Sequence, residues 1–430
     1  MAENTNNKKK PKKKRAYSNI HTPFKFLMPG KKSGGYREYL ETVHVGEMDV
    51  PFLIVVLLLL SIGLIMMYSA SYAWAIHDER IQSYDYYFKR QLGFAIGGLI
   101  GMAFIASPLF DYHIMKNPIV NYGFFGLTTI LLLVTALVGD KSGGATRWIT
   151  IGGIQFQPSE FSKIALVMLF AHLMSTNSKG MKSFKTGMLP YLAVIIMLVG
   201  IMALQPHLSG AIIIATIGFA MMFAAGANIV QLLLFGLMGG AGMTALAYFM
   251  YQHGYEFIKK RVDGWLHTFE DGYGDIAWQT RNSLIAIGSG GWFGLGFGQS
   301  RQKYLYLPES QNDFVFSIVC EELGFIGALA VILLFVLLIA RGVYIACHST
   351  DKYGFLLTTG LIVHIGLQAF LNMAVVSNAM PNTGISLPFF SYGGTALVLQ
   401  LLEMGVVLNI SRQSVKLEDT EEEGSPAAPA

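Results

Sequence analysis

Apolar runs of about twenty residues recur from one end of this chain to the other, and no other feature limits its fold so tightly. A helix needs about 20 mostly apolar residues to cross the hydrocarbon layer of a bilayer. Ten such stretches stand in the 430 residues: 52–72, 91–108, 121–139, 160–176, 189–205, 208–226, 229–250, 314–340, 355–378 and 393–411. Only Gln205, Pro206 and His207 divide the fifth from the sixth. With 53% apolar and 13% charged residues, the composition excludes a soluble domain of this size. In hydrocarbon the backbone must satisfy its own hydrogen bonds. The expected fold class is an all-α polytopic membrane protein of about ten transmembrane helices.

Orientation follows from Lys and Arg near the spans. The first fifty residues form a basic tail carrying KKKPKKKR at 8–15, then Lys25, Lys31, Lys32 and Arg37. Placing that tail inside also places inside the loop with Lys179, Lys182 and Lys185, and the loop with Arg341 and Lys352. Both termini are then cytoplasmic, with a membrane domain over 51–411 and an acidic tail, 412–430, containing LEDTEEE. Loops 140–159, 251–312 and 379–392 all open on the outer face, the second being the large extracytoplasmic loop. A mainly polar tail of roughly fifty residues before the first span argues against a cleavable signal peptide. The basic run reads as an attraction to anionic membrane lipids rather than to nucleic acid. Cys320, within a span, and Cys347, on the cytoplasmic side, offer neither a disulfide framework nor a metal spacing, and read as inert thiols. No internal repeat is visible.

The unusual polar residues sit in the three outer loops. In GGATRWITIGGIQFQPSEFSK (143–163), Gly-Gly pairs and Gln-Pro-Ser read as turns, and Ser159 with Glu160 starts a helix. Glu160 and Lys163 share a face at i, i+3, either as a self-satisfied ion pair or facing a watery cavity. Arg147 and Trp148 could anchor the loop at the interface, or bind an anionic lipid head group through the arginine fork. The long loop carries Lys259, Lys260, Arg261, Arg281, Arg301 and Lys303. Its stretch 282–310 reads as an amphipathic segment on the outer leaflet, since GLGFGQ lacks the strand–helix context of a dinucleotide fingerprint. In the third loop, MPNTGISLPFFSYGGTA (380–396), Pro and Gly break the backbone, which at membrane depth requires cover from protein or water. His364, Gln368 and Asn372 form a polar stripe suited to helix–helix hydrogen bonds. Glu321 and Glu322 point to different sides of their helix and cannot both face lipid, and Glu403 also needs a partner. Asp313, where the long loop meets an apolar helix, is either an N-cap or a functional carboxylate.

Taken in order, GATRWI, QPSEFSK, QPHLSG, LPESQNDFVFSIVCEELG and PNTGISLPFFSYGG resemble the FtsW/RodA/SpoVE (SEDS) family over residues 50–411. The wording of the long loop is most similar to the division and sporulation branch. The resemblance implies a peptidoglycan glycosyltransferase of the bacterial cytoplasmic membrane. Such an enzyme polymerises lipid II at the outer face, beside a class B penicillin-binding transpeptidase and the divisome. The family's essential acid falls on Asp313, and Arg147, Trp148, Glu160 and Lys163 match other characteristic positions. Three positions depart from the pattern: Asn312 replaces a common Thr, His207 an acid, and Asn382 a common Lys.

Lipid II is amphipathic, so its polymerase needs a groove open to hydrocarbon, cations near the interface and a base at head-group height. Asp313 is the candidate base for the attacking sugar hydroxyl. Arg147, Arg281, Lys303 and Lys163 are candidate cations for the leaving pyrophosphate. No cofactor or metal-ligand cluster is evident, although a divalent cation could replace some of these. The rival readings are a lipid II flippase, which would carry its key charges near the midplane, and a non-catalytic scaffold of the wall-synthesis complex.

Overall fold

The computed structural model describes residues 46–413 apart from 78, 80, 82, 143, 144, 152, 153, 206, 254 and 271–273. The basic run at 8–15 and the LEDTEEE tail lie outside the described residues. Each of the ten apolar stretches forms a helix: α1 (Val50–His77), α2 (Tyr86–Ala106), α3 (Pro118–Val138), α4 (Pro158–Thr176), α5 (Leu189–Leu204), α6 (Leu208–Ala224), α7 (Ile229–Gln252), α10 (Val315–Cys347), α11 (Lys352–Val376) and α12 (Gly394–Arg412). Between α7 and α10 lie two helices not expected from the sequence, α8 (Glu256–Leu266) and α9 (Gly274–Ser289). Among the described residues, α1, α3, α7, α10, α11 and α12 are long and apolar enough to cross a membrane. The 16-residue α5 and 17-residue α6 are shorter, so helix length alone does not establish ten crossings.

Local chemistry sets the helix starts. Pro118 and Pro158 open α3 and α4, where a missing N–H is no loss. Asn117 accepts from the Ile119 amide at 2.9 Å, Asn228 from the Val230 amide at 3.0 Å and Asp351 from the Gly354 amide at 2.9 Å. These caps satisfy donors that the first turn leaves over. Helices α2 and α12 cross closely, because Gly98 lies against Leu401 and Gly405 against the backbone at Met102.

The long loop departs from expectation. Residues 290–303 fold back onto α10 instead of lying as an amphipathic segment. The cause is Gly324, whose φ of 70° breaks α10. Freed carbonyls of Glu321 and Glu322 accept from the amides of Leu295 and Gly296 at 2.9 and 3.1 Å, and Phe325 donates to the Gly291 carbonyl at 2.9 Å. The break is thus re-satisfied internally, as backbone at membrane depth requires. Gly294, also at positive φ (78°), meets Gly324 backbone to backbone with no room for a Cβ on either. Of the glycines in GWFGLG, Gly294 makes this contact.

Loop 140–159 is a small antiparallel sheet, β1 (Asp140–Ser142), β2 (Ala145–Ile151) and β3 (Ile154–Phe156), with Thr150 opposite Gln155. It lies at the same end of the bundle as the 251–312 and 379–392 segments. At the other end, buried His113 joins two carboxylates, with Nδ1 2.7 Å from Asp111 and Nε2 3.6 Å from Asp351. Tyr112 donates to Asp351 at 2.9 Å, and Lys116 lies 3.4 Å from it. Burial alone would pull the His113 imidazole down, but Asp111 and Asp351 outweigh it and raise it above its usual range.

Candidate active site

The loop-bearing end encloses a cavity of about 750 Å³, within the range of small-molecule sites. Trp148, Glu160, Lys163 and Asp313 all line it. Four expected site residues from three separate sequence blocks therefore share one space.

Asp313 is half-buried, and it is not the cap of α10: Phe314 occupies that position with no side-chain cap bond. The chain around Asp313 is held by neighbouring elements. The Tyr392 amide donates to the Gln311 carbonyl at 2.8 Å, and the Ser391 hydroxyl to the Asn312 carbonyl at 2.6 Å. Buried Asn372 on α11 donates to the Asp313 carbonyl at 2.7 Å. The backbone that bears the Asp313 carboxyl is thus held in place by three neighbouring groups.

Glu160 and Lys163 form the i, i+3 pair. Lys163 Nζ donates to both Glu160 oxygens at 2.8 Å and to Gln368 Oε1 at 3.2 Å, all buried. Pairing and cavity-facing are both realised. Gln368 also donates to the Ser386 carbonyl at 3.2 Å, and His364 Nδ1 lies 3.0 Å from Glu403. The polar stripe of α11 thus consists of inter-element hydrogen bonds.

The remaining expected cations fare differently. Arg147 belongs to β2, but its side chain lies outside the described residues. Arg281, on α9, is half-buried and is not among the cavity-lining residues. Lys303 is buried outside the cavity lining, 2.9 Å from Glu322 and 3.0 Å from Ser69. Glu322 further accepts from Ser69 at 2.7 Å and from the Gly298 amide at 3.0 Å, while Glu321 accepts from Ser300 and from the Arg301 amide at 2.9 Å. Both carboxylates thus pin the segment leading to Asp313, and neither faces lipid.

Two further cations line the cavity: Arg90, which the sequence does not single out, and Arg261, one of the basic residues of the long loop. Arg261 Nη1 donates to the Asn382 carbonyl at 2.7 Å. Nothing in YYFKRQ separates Arg90 from its neighbour Lys89; only the helix register turns one of them inward. The departures His207, Asn312 and Asn382 line the same cavity. Among the described residues no three His, Cys, Asp or Glu side chains gather as a metal site.

A many-helix membrane bundle with a polar cavity beneath convergent loops defines the class. The chain belongs to the FtsW/RodA/SpoVE family, whose model, described as "Cell cycle protein", matches residues 50–416. It is 37% identical to the probable peptidoglycan glycosyltransferase FtsW of Trichlorobacter lovleyi, over 86% of this chain and 94% of that one. It is 40% identical to stage V sporulation protein E of Bacillus subtilis, over 85% of this chain and 97% of that protein. Among solved structures, a chain from a peptidoglycan synthase complex that coordinates polymerization and crosslinking matches with TM-score 0.67 and 25% identity, over 85% of this chain and 98% of that chain. The rod shape determining protein RodA of Thermus thermophilus matches with TM-score 0.59 and 25% identity, over 86% and 98%.

Proposed function

We propose that this protein is a peptidoglycan glycosyltransferase that polymerises lipid II at the outer face of the bacterial cytoplasmic membrane. Its place is in septal wall synthesis, beside a class B penicillin-binding transpeptidase and the divisome. The observation that carries the reading is that Asp313 shares one cavity with Lys163, Arg90 and Arg261. In the reaction the 4-hydroxyl of the acceptor sugar attacks the anomeric carbon of the donor. The new C–O bond forms as the bond to the polyprenyl pyrophosphate breaks. Asp313 takes the hydroxyl proton, and the cavity cations stabilise charge growing on the leaving pyrophosphate. Relatives named probable peptidoglycan glycosyltransferase support the chemistry. The likeness to a complex coordinating polymerization and crosslinking supports a crosslinking partner.

The test is gel analysis of glycan made from lipid II by the purified protein in detergent, with and without the transpeptidase. Polymer is expected. A flippase or a scaffold would leave lipid II unchanged.

A further inference from the structure

Glu403 needs a partner inside the bundle and finds it in His364, and neither residue lines the cavity. His364 Nδ1 stands 3.0 Å from Glu403 Oε2, with the two side chains 1% and 2% exposed. Each residue is at the middle of its helix, α11 (Lys352–Val376) and α12 (Gly394–Arg412), the depth at which polar groups are costliest. The other polar atoms of the pair, His364 Nε2 and Glu403 Oε1, have no partner among the described residues. A buried pair held by one hydrogen bond adds little to stability, and apolar side chains of similar size commonly serve as well or better. Fixing a register is the best-attested use of such a pair.

Register matters on α11. The helix packs against α4, α6, α10 and α12, and many of its contacts are apolar. A Cβ at Gly360, one turn from His364, would meet Val167 of α4 and Met221 of α6, and one at Gly366 would meet Ile339 of α10. Apolar contacts of this kind are non-directional. Toward the loop-bearing end, however, the next two turns of α11 each meet particular polar partners. Gln368 accepts from Lys163 at 3.2 Å, and Asn372 donates to the Asp313 carbonyl at 2.7 Å. On α12, Gln400 lies one turn from Glu403 and accepts from the Phe389 amide at 3.0 Å, where the backbone is held at a φ of 66°. A slip or rotation of α11 against α12 that displaced Gln368 and Asn372 would also part His364 from Glu403.

We infer that His364 and Glu403 are positioning residues, a register pin at mid-membrane that keeps Gln368 on Lys163 and Asn372 on Asp313. The inference rests on the glycosyltransferase reading with Asp313 as the base.

The test is the double variant His364→Leu, Glu403→Met of the full-length protein in detergent, assayed for Tm, lipid II polymerisation and the position of α11. Position is read between spin labels on the exposed native Cys347, at the end of α10, and on Ser377→Cys, at the end of α11; Cys320 is buried. With the pair intact the labels should give one narrow distance. The double variant should keep or gain Tm and broaden that distance. Its kcat should fall roughly tenfold or more with little change in KM, since misplacement by about 1 Å can cost about 100-fold. Glu403→Gln still offers His364 an oxygen, and should retain the narrow distance and most of kcat. Wild-type kcat or an unbroadened distance in the double variant overturns the pin. A double variant that fails to fold also overturns it, because the pair would then hold the fold itself. So does Glu403→Gln as slow as the double variant, which would make charge rather than register the cause. Wild-type protein that makes no glycan contradicts the glycosyltransferase reading instead, and the label distances then decide the pin alone.

Discussion

The side-chain amide of Asn372 donates to the Asp313 carbonyl at 2.7 Å and to the Ile385 carbonyl at 2.6 Å. One buried amide on α11 thus holds both the residue bearing the candidate base and the Pro/Gly-broken segment beside it. The broken backbone is covered by protein, which is what its depth demands.

Asn372→Ala removes the donor from two carbonyls, and each buried group left unpaired costs about 1–3 kcal/mol. A shift of the carboxylate by about 1 Å can cost about 100-fold in rate. The expected outcome is a folded protein with depressed kcat and little change in KM. A fall in Tm with unchanged kcat would make Asn372 purely structural.

Two buried ion pairs should behave differently. Breaking either leaves an uncompensated charge, at about 3–5 kcal/mol. Lys303→Met should therefore lower folded yield, and adding Glu322→Gln should recover part of it without altering KM, since neither residue lines the cavity. Glu160→Gln and Lys163→Met should depress specific activity as well as yield, because that pair faces the cavity. Fluorescence-detected size exclusion with lipid II kinetics separates the two. Equal KM effects from both pairs would return Lys303 to the substrate.

His113 predicts a pH dependence. Its folded-state value is raised, so its stabilisation is fully present below about pH 6.5, the ordinary histidine value, and is lost as pH rises through the folded value. For Asp111 and Asp351, burial pushes the carboxyls up, but the hydrogen bond and charge of His113 more than offset it and both end lowered. Their contributions persist above about pH 3.9 and fade only in acid. The Tm gap between wild type and His113→Gln should be widest near pH 5.5 and narrow toward pH 9. A constant gap contradicts the assignment.

The orientation can be read with thiols. Cys320 is buried and Cys347 exposed. An impermeant maleimide should label Cys347 only after permeabilisation, whereas Tyr304→Cys in a Cys347→Ala background should label on intact cells, Tyr304 being 52% exposed. Ser300, in the same loop, is fully buried and should resist labelling. The reverse pattern would invert the topology and place the cavity inside.

The helices are legible in the sequence because a bilayer enforces their length and apolarity. Asp313, Glu160, Lys163 and Trp148 are legible because charge or an indole beside hydrocarbon is costly or specialised. Beyond the i, i+3 pair of Glu160 and Lys163, which cation meets which carboxylate is not legible. Lys303 finds Glu322 only because Gly324 breaks α10 and lets the 290–303 segment fold back. Arg90 reaches the cavity only because α2 packs on α12, and local sequence carries no trace of that contact. The strand content of ATRWITI is obscured by the flanking Gly-Gly pairs, which read as turns.

The most direct test of the central claim is lipid II polymerisation by Asp313→Asn, measured beside membrane abundance and transpeptidase binding. Asn matches Asp in size and as a cap but cannot accept the hydroxyl proton. The account predicts a normally inserted protein that has lost about 100- to 10,000-fold in rate, with Asp313→Glu also impaired. Polymerisation by the Asn variant at near the wild-type rate would contradict it and place the base elsewhere.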